Sequence, residues 1–225
     1  MRANPRTIVT LINGSPLELD PWLDQVPAVL EAWYPGMEGG SAIAAARFGR
    51  INPSGKLPFS WPKHLADSPA HALGTESNDR VNYFEDVLVG YRYFDTKNVA
   101  PQFPFGFGRS YTSFAFEKLQ VSRTGDRVEV TYDLTNTGPR SGTEVAQIYV
   151  APPAGDVIRP AHELEGFQKI SLPPGGKQTL KFILPLHAFA YFNEAKNGWL
   201  TPPGTYSIQV GNSSRTLPLA TSITW

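Results

Sequence analysis

The last half of the chain is a succession of short runs in which apolar and polar residues alternate, each closed by residues that force the backbone to turn. Residues 118–122, 127–135, 143–150, 163–171, 177–184 and 205–210 follow this rhythm, and 217–224 adds one more. Between them stand Asn136-Thr137-Gly138, Pro173-Pro174-Gly175-Gly176 and Pro202-Pro203-Gly204. A period of two puts one face of each run against a core, and about seven such strands in roughly 110 residues is the pattern of an immunoglobulin-like sandwich. Few other architectures accept so many short strands with so little helix between them.

Before Ser110 the pattern differs. Residues 7–12 (TIVTLI) form a β-branched run ended by Asn13-Gly14 and read as a buried strand with a turn behind it. A second apolar run lies within 26–34 and closes at Pro35-Gly36. Ser41 is the expected N-cap of one alanine-rich helix over 42–48, stopped by Gly49. An extended segment, KLPFSWP, follows at 56–62. Strand, strand, helix and extended segment predict part of an open α/β sheet, although such a sheet needs helices on both faces and these residues supply too few. The fold class is therefore α/β plus all-β: a partial open α/β sandwich sheet over 1–110, followed by an immunoglobulin-like β-sandwich over 111–225. Residues 65–82 are polar and read as a long surface loop.

Charge and motifs exclude more than they assign. Twenty basic residues balance twenty acidic ones, which leaves no footprint for nucleic acid or an anionic membrane. No apolar run has the length of about 18 residues that a membrane span needs. Residues 1–6 (MRANPR) are not followed by the apolar core of a signal peptide, so any export signal of a parent protein lies upstream, and periplasm, cell exterior and cytoplasm all stay open. With no cysteine there are no disulfides and no thiolate metal sites. Residues 49–56 (GRINPSGK) imitate a phosphate loop, but five residues separate the glycines and Leu57 stands where Ser or Thr is required. His162-Glu163 lacks the second histidine of a zinc-protease helix, and His64, His71 and His187 are scattered.

Glycosidase chemistry needs two carboxyl groups about 5 to 10 Å apart across the scissile bond. Glu31, Glu38, Glu85, Asp86 and Asp95 are the candidates for such a pair, against the commoner roles of surface carboxylates and turn acceptors. Trp22, Trp33, Trp61, Tyr91, Tyr93 and Phe94 suit stacking on sugar rings, and suit a core better.

Several motifs occur in order along nearly the whole chain: WYPGMEGGSAIAAARFG at 33–49, NPSGKLPFSWP at 52–62, YFEDVLVGYRYFD at 83–95, FPFGFGRSYTSF at 103–114 and GWLTPPGTYSIQVGNSS at 198–214. They resemble the C-terminal part of family-three glycoside hydrolases of the β-glucosidase type, covering the end of the α/β sandwich domain and the fibronectin type III-like domain. Arg47 and Arg109 depart from the family's usual leucines, and a guanidinium at such a position must be paired or reach solvent. The resemblance implies a retaining double displacement on a β-glucoside or oligosaccharide, with an aspartate nucleophile and a glutamate acid/base in sequence that precedes these residues. It therefore assigns no catalytic, cofactor-binding or metal-binding residue here, implies no cofactor, and makes the chain inactive alone unless a separate N-terminal catalytic polypeptide joins it. The other reading is a carbohydrate-binding or protein-docking sandwich, which exposed aromatics such as Trp199 and Tyr206 on one face would favour.

Overall fold

The structure, a computed structural model, describes residues 4–20, 22–73 and 83–225. The alternating runs become the two sheets of a sandwich. Strands β3 (Phe114–Thr124), β4 (Arg127–Asn136) and β7 (Lys177–Pro185) form one sheet in the order β3-β4-β7. Strands β5 (Gly142–Ala151), β6 (Glu163–Leu172), β10 (Thr205–Gly211) and β11 (Leu219–Thr224) form the other in the order β11-β10-β5-β6. Every pairing is antiparallel. Alternation aims Val128, Val130, Tyr132 and Leu134 of β4 at Ala146, Ile148 and Val150 of β5 and Ile208 and Val210 of β10, and all nine belong to one buried cluster. Tyr206 is also fully buried, and its hydroxyl donates to the Pro202 carbonyl 2.9 Å away, four residues upstream. That tyrosine corner pins the entry to β10. Tyr206 is thus a core residue and no part of an exposed aromatic face.

One hairpin lies outside the expected strands. Strands β8 (Tyr191–Asn193) and β9 (Gly198–Leu200) pair around a short helical turn that the Asn193 side chain caps by accepting from Lys196 N–H. Trp199 and Phe192 stand exposed on it, and His187 packs edgewise on Trp199 at 4.4 Å.

The earlier residues make a small parallel pair. Strand β1 (Ile8–Leu11) runs beside β2 (Ala28–Glu31) with Leu11 opposite Glu31, and both strands are exposed to half-buried instead of buried. Helix α1 (Gly39–Arg47) begins two residues before Ser41, because the Ala42 N–H already bonds the Glu38 carbonyl and places Ser41 inside the first turn. Its end is as expected. Gly49 at φ 70° lets the Gly49 and Arg50 amides reach the Ala46 and Ala45 carbonyls at 3.0 and 2.8 Å, the paired bonds of a Schellman motif. Arg47 and Arg109 both lie exposed to solvent.

KLPFSWP joins no ladder beyond one bridge between Trp61 and Phe103, because Pro58 and Pro62 remove donors that a strand would need. A short helix that the sequence did not announce, α2 (Tyr91–Thr96), lies against the sandwich. Within 65–82, Leu65–Asp67 and Pro69–Leu73 are 3-10 turns, and 74–82 lie outside the described residues. Among the described residues no helix is long and apolar enough to cross a membrane.

Candidate functional site

Two places gather chemistry-bearing side chains. The first is the outer face of the β5-β6-β10 sheet, where α2 and the segment before β3 are held. Alternation turns Gln147 and Tyr149 away from the sandwich core, yet both are buried because earlier residues cover them. The Tyr91 ring stacks on Phe105 at 4.8 Å and meets Tyr149 edge-on at 5.9 Å, while its hydroxyl accepts from the Leu164 N–H at 2.8 Å. Asp95 then works as a hub. Its Oδ2 lies 3.2 Å from His162 Nε2, and its Oδ1 accepts from Arg215 Nε at 2.5 Å. Burial pushes the Asp95 carboxyl up, but the bonds from His162 and Arg215 outweigh it and hold the group below its usual range. Arg215 also donates to the Phe94 and Val99 carbonyls, and His162 Nδ1 sits 2.9 Å from Gln209 Oε1. Nearby, Lys56 Nζ lies 2.6 Å from Glu144 Oε1, with both side chains almost enclosed. Asp95 is therefore a structural ion-pair partner, and the buried His162 belongs to the same seam.

The second place is the carboxyl end of the β1-β2 ladder. In open parallel sheets this is the end at which ligands bind. Asn13 follows β1, and its Nδ2 donates to the Ser15 carbonyl at 2.6 Å. Glu31 closes β2, and its Oε1 accepts from the Trp33 N–H at 2.8 Å. That bond depends on a φ of 50° at Trp33, the left-handed region that bulky residues avoid. Ring packing of Trp33 on Phe59 and Trp61, at 5.5 and 6.3 Å, holds the residue there. Glu31 Oε2 and Asn13 Oδ1 are both enclosed and make no hydrogen bond among the described residues. Burial raises the Glu31 carboxyl above its usual range, against the lowering by the Trp33 and Ala32 amides.

The other carboxylates stand apart in the fold. Glu38 is exposed ahead of α1, and Glu85 and Asp86 lie in the turn before α2, with Asp86 at φ 52°. Of the aromatic candidates, Trp61 and Phe94 are buried and Trp22, Trp33, Tyr91 and Tyr93 are half-buried. Sequence reasoning missed Asn13, whose only signal was its position after a predicted strand. Among the described residues no three of His, Cys, Asp and Glu group closely enough to hold a metal ion.

A parallel α/β segment clamped to the outer face of a fibronectin type III-like sandwich is the class that this fold defines. Residues 1–111 match the model of the glycosyl hydrolase family 3 C-terminal domain, and 144–214 match that of the fibronectin type III-like domain. The chain is 41% identical over 220 residues to thermostable β-glucosidase B of Acetivibrio thermocellus, covering 96% of this chain and 29% of that protein. It is 42% identical over 214 residues to an exo-α-(1→6)-L-arabinopyranosidase of Bifidobacterium breve, covering 95% and 28%. A crystal structure of a family 3 β-glucosidase from Bifidobacterium adolescentis superposes with a TM-score of 0.95 at 40% identity, over 98% of this chain and 33% of that one. The chain belongs to glycosyl hydrolase family 3. It matches the C-terminal part of the family's β-glucosidases and spans less than a third of the length of the first two of these relatives.

Proposed function

We propose that residues 1–110 and 111–225 form the C-terminal, non-catalytic part of a β-glucosidase-type hydrolase that releases terminal β-linked glucose. The nucleophile and the acid/base carboxyl come from the portion that precedes the matched segment, in the same polypeptide or a separate one. The observation that carries this reading is the alignment itself: nearly the whole chain is matched, yet only 29% of thermostable β-glucosidase B. The carboxylates agree with it, since Asp95 is committed to Arg215 and His162. The purified 225-residue chain is expected to release no nitrophenol from an aryl β-glucoside. Joined to the preceding portion of thermostable β-glucosidase B, it is expected to release it. Hydrolysis by the chain alone would end this reading.

A second reading, a carbohydrate-binding module, is favoured by one observation, the exposure of Trp199 and Phe192 on the β8-β9 hairpin. It requires retention on an insoluble glucan that Trp199→Ala abolishes. Passage of the wild-type chain straight through such a column would dispose of it.

A further inference from the structure

At the end of the β1-β2 ladder two enclosed acceptor atoms, Glu31 Oε2 and Asn13 Oδ1, have no hydrogen-bond donor among the described residues. Leu11 pairs with Glu31, and the Ala32 N–H continues the ladder to the Leu11 carbonyl at 2.9 Å, so Asn13 and Glu31 leave the same end of adjacent strands. The orientation of each side chain is fixed by its other bond. A carbonyl only accepts, so the Asn13 atom facing Ser15 is the amide nitrogen, and the free atom is the oxygen Oδ1. The Glu31 carboxylate is locked through Oε1 by the amide of Trp33, a residue held in a strained backbone conformation by its aromatic neighbours. Its Oε2, like Asn13 Oδ1, is enclosed and without a hydrogen-bond partner among the described residues. An enclosed carboxylate oxygen without a donor costs more than any neutral group left in that state, and strain maintained beside it marks a place built for contact.

The missing donor can be named by its chemistry. One charged and one neutral acceptor oxygen at the same end of the ladder suit a cation that carries several N–H bonds. Beside this end, Ile12 and Tyr34 are exposed, and the Tyr34 ring lies against Gly14. Large apolar side chains left exposed beside one another mark an interaction surface.

We propose that Glu31 and Asn13 receive a lysine or arginine side chain from the portion of a family 3 glycosidase that precedes the matched segment. The proposal rests on reading this chain as the C-terminal part of such an enzyme. Glu31 is then a positioning residue, which fixes the approach of the preceding portion and does not touch the substrate.

Glu31→Gln keeps the acceptor for Trp33 N–H and removes only the charge, so it separates an unpaired carboxylate from a structural one. In the 225-residue chain the urea midpoint of E31Q is expected to stay equal or rise. In a fusion of the preceding portion of thermostable β-glucosidase B to this chain, the same change is expected to lower the midpoint and to weaken docking at least tenfold when the two parts are titrated separately. An active fusion in which E31Q leaves midpoint and docking unchanged would overturn the proposal and leave the family function standing. A fall in stability of the 225-residue chain itself would overturn it in favour of an internal role. Glucose or cellobiose shifting the amide signals of Trp33 and Tyr34 in the wild type, and not in E31Q, would overturn it in favour of a sugar site. A wild-type fusion without β-glucosidase activity would remove the functional reading, and this proposal with it.

Discussion

Replacing Glu144 by alanine tests how the two parts of the chain are joined. Lys56 Nζ and Glu144 Oε1 lie 2.6 Å apart, and the two side chains are only 12% and 6% exposed. Lys56 Nζ has one other partner, the Gly108 carbonyl at 3.0 Å, while Glu144 Oε2 accepts from Asn212 Nδ2 at 3.2 Å. Removing the carboxylate leaves an ammonium group enclosed with one neutral acceptor, a loss of about 3 to 5 kcal/mol for a buried pair. At about 2 to 4 °C per kcal/mol for a chain of this size, the expected fall in Tm is roughly 6 to 20 °C. Calorimetry of wild type, E144A and the double variant Lys56→Met with Glu144→Leu supplies the measurement. The double variant restores apolar contact without an orphaned charge, so its Tm is expected within a few degrees of wild type. Because the pair links the segment before β3 to β5, E144A is also expected to split one melting transition into two. A Tm loss below about 2 °C in E144A would refute the reasoning, since solvent would then be reaching the pair and screening it.

Asp133 is held down to about 2, chiefly by Lys177 and then by Thr179. Its lowered value means that its contribution is complete above the ordinary carboxylate pKa, near 3.9, and is lost as pH falls through about 2. Urea midpoints of Asp133→Asn are expected to vary less than those of wild type across that window. Glu165 is raised to about 7 by burial and then by Glu163, so the opposite sign applies: its contribution is complete below the ordinary range and lost as pH rises through 7. Glu165→Gln is therefore expected to match wild type at pH 4 and to exceed its urea midpoint at pH 8. Trp61 is buried among rings and donates its indole N–H to the Leu17 carbonyl at 2.8 Å. Trp61→Ala is expected to cost about 3 to 5 kcal/mol in urea unfolding, and Trp61→Phe about 1 to 3 kcal/mol for the orphaned carbonyl.

What the sequence disclosed follows the range of the forces involved. Alternation in β4, β5, β7 and β10 is set by a core that covers one face of each strand, so these elements could be placed within a residue or two. The helix stop at Gly49 was equally legible, because a left-handed glycine acts locally. Helix α2 was not. Its six residues, YRYFDT, include aromatics that favour strands, and a helix so short cannot sustain itself in water. It exists because Phe94 is buried, Tyr91 receives Leu164 N–H and Asp95 meets Arg215 from 120 residues away. The same separation hid the seam as a whole: Asp95 read as a candidate acid, and only its distant partners show it as an anchor. The unpartnered oxygens of Glu31 and Asn13 were hidden for another reason, since enclosure without a donor leaves no trace in a pattern of residue types.

The order in which α2 acquires its partners has a consequence for how the protein is made. Synthesis delivers residues 1–110 first, but the surface that shapes α2, built from Tyr149, Leu164, Gln209 and Arg215, emerges afterwards. At about 5 to 20 residues per second the interval is on the order of ten seconds. During it Tyr91 and Phe105 have no sheet to lie on. The sandwich is thus both a partner and a late-arriving template, and the first half of the chain is the half that needs protection while the ribosome finishes.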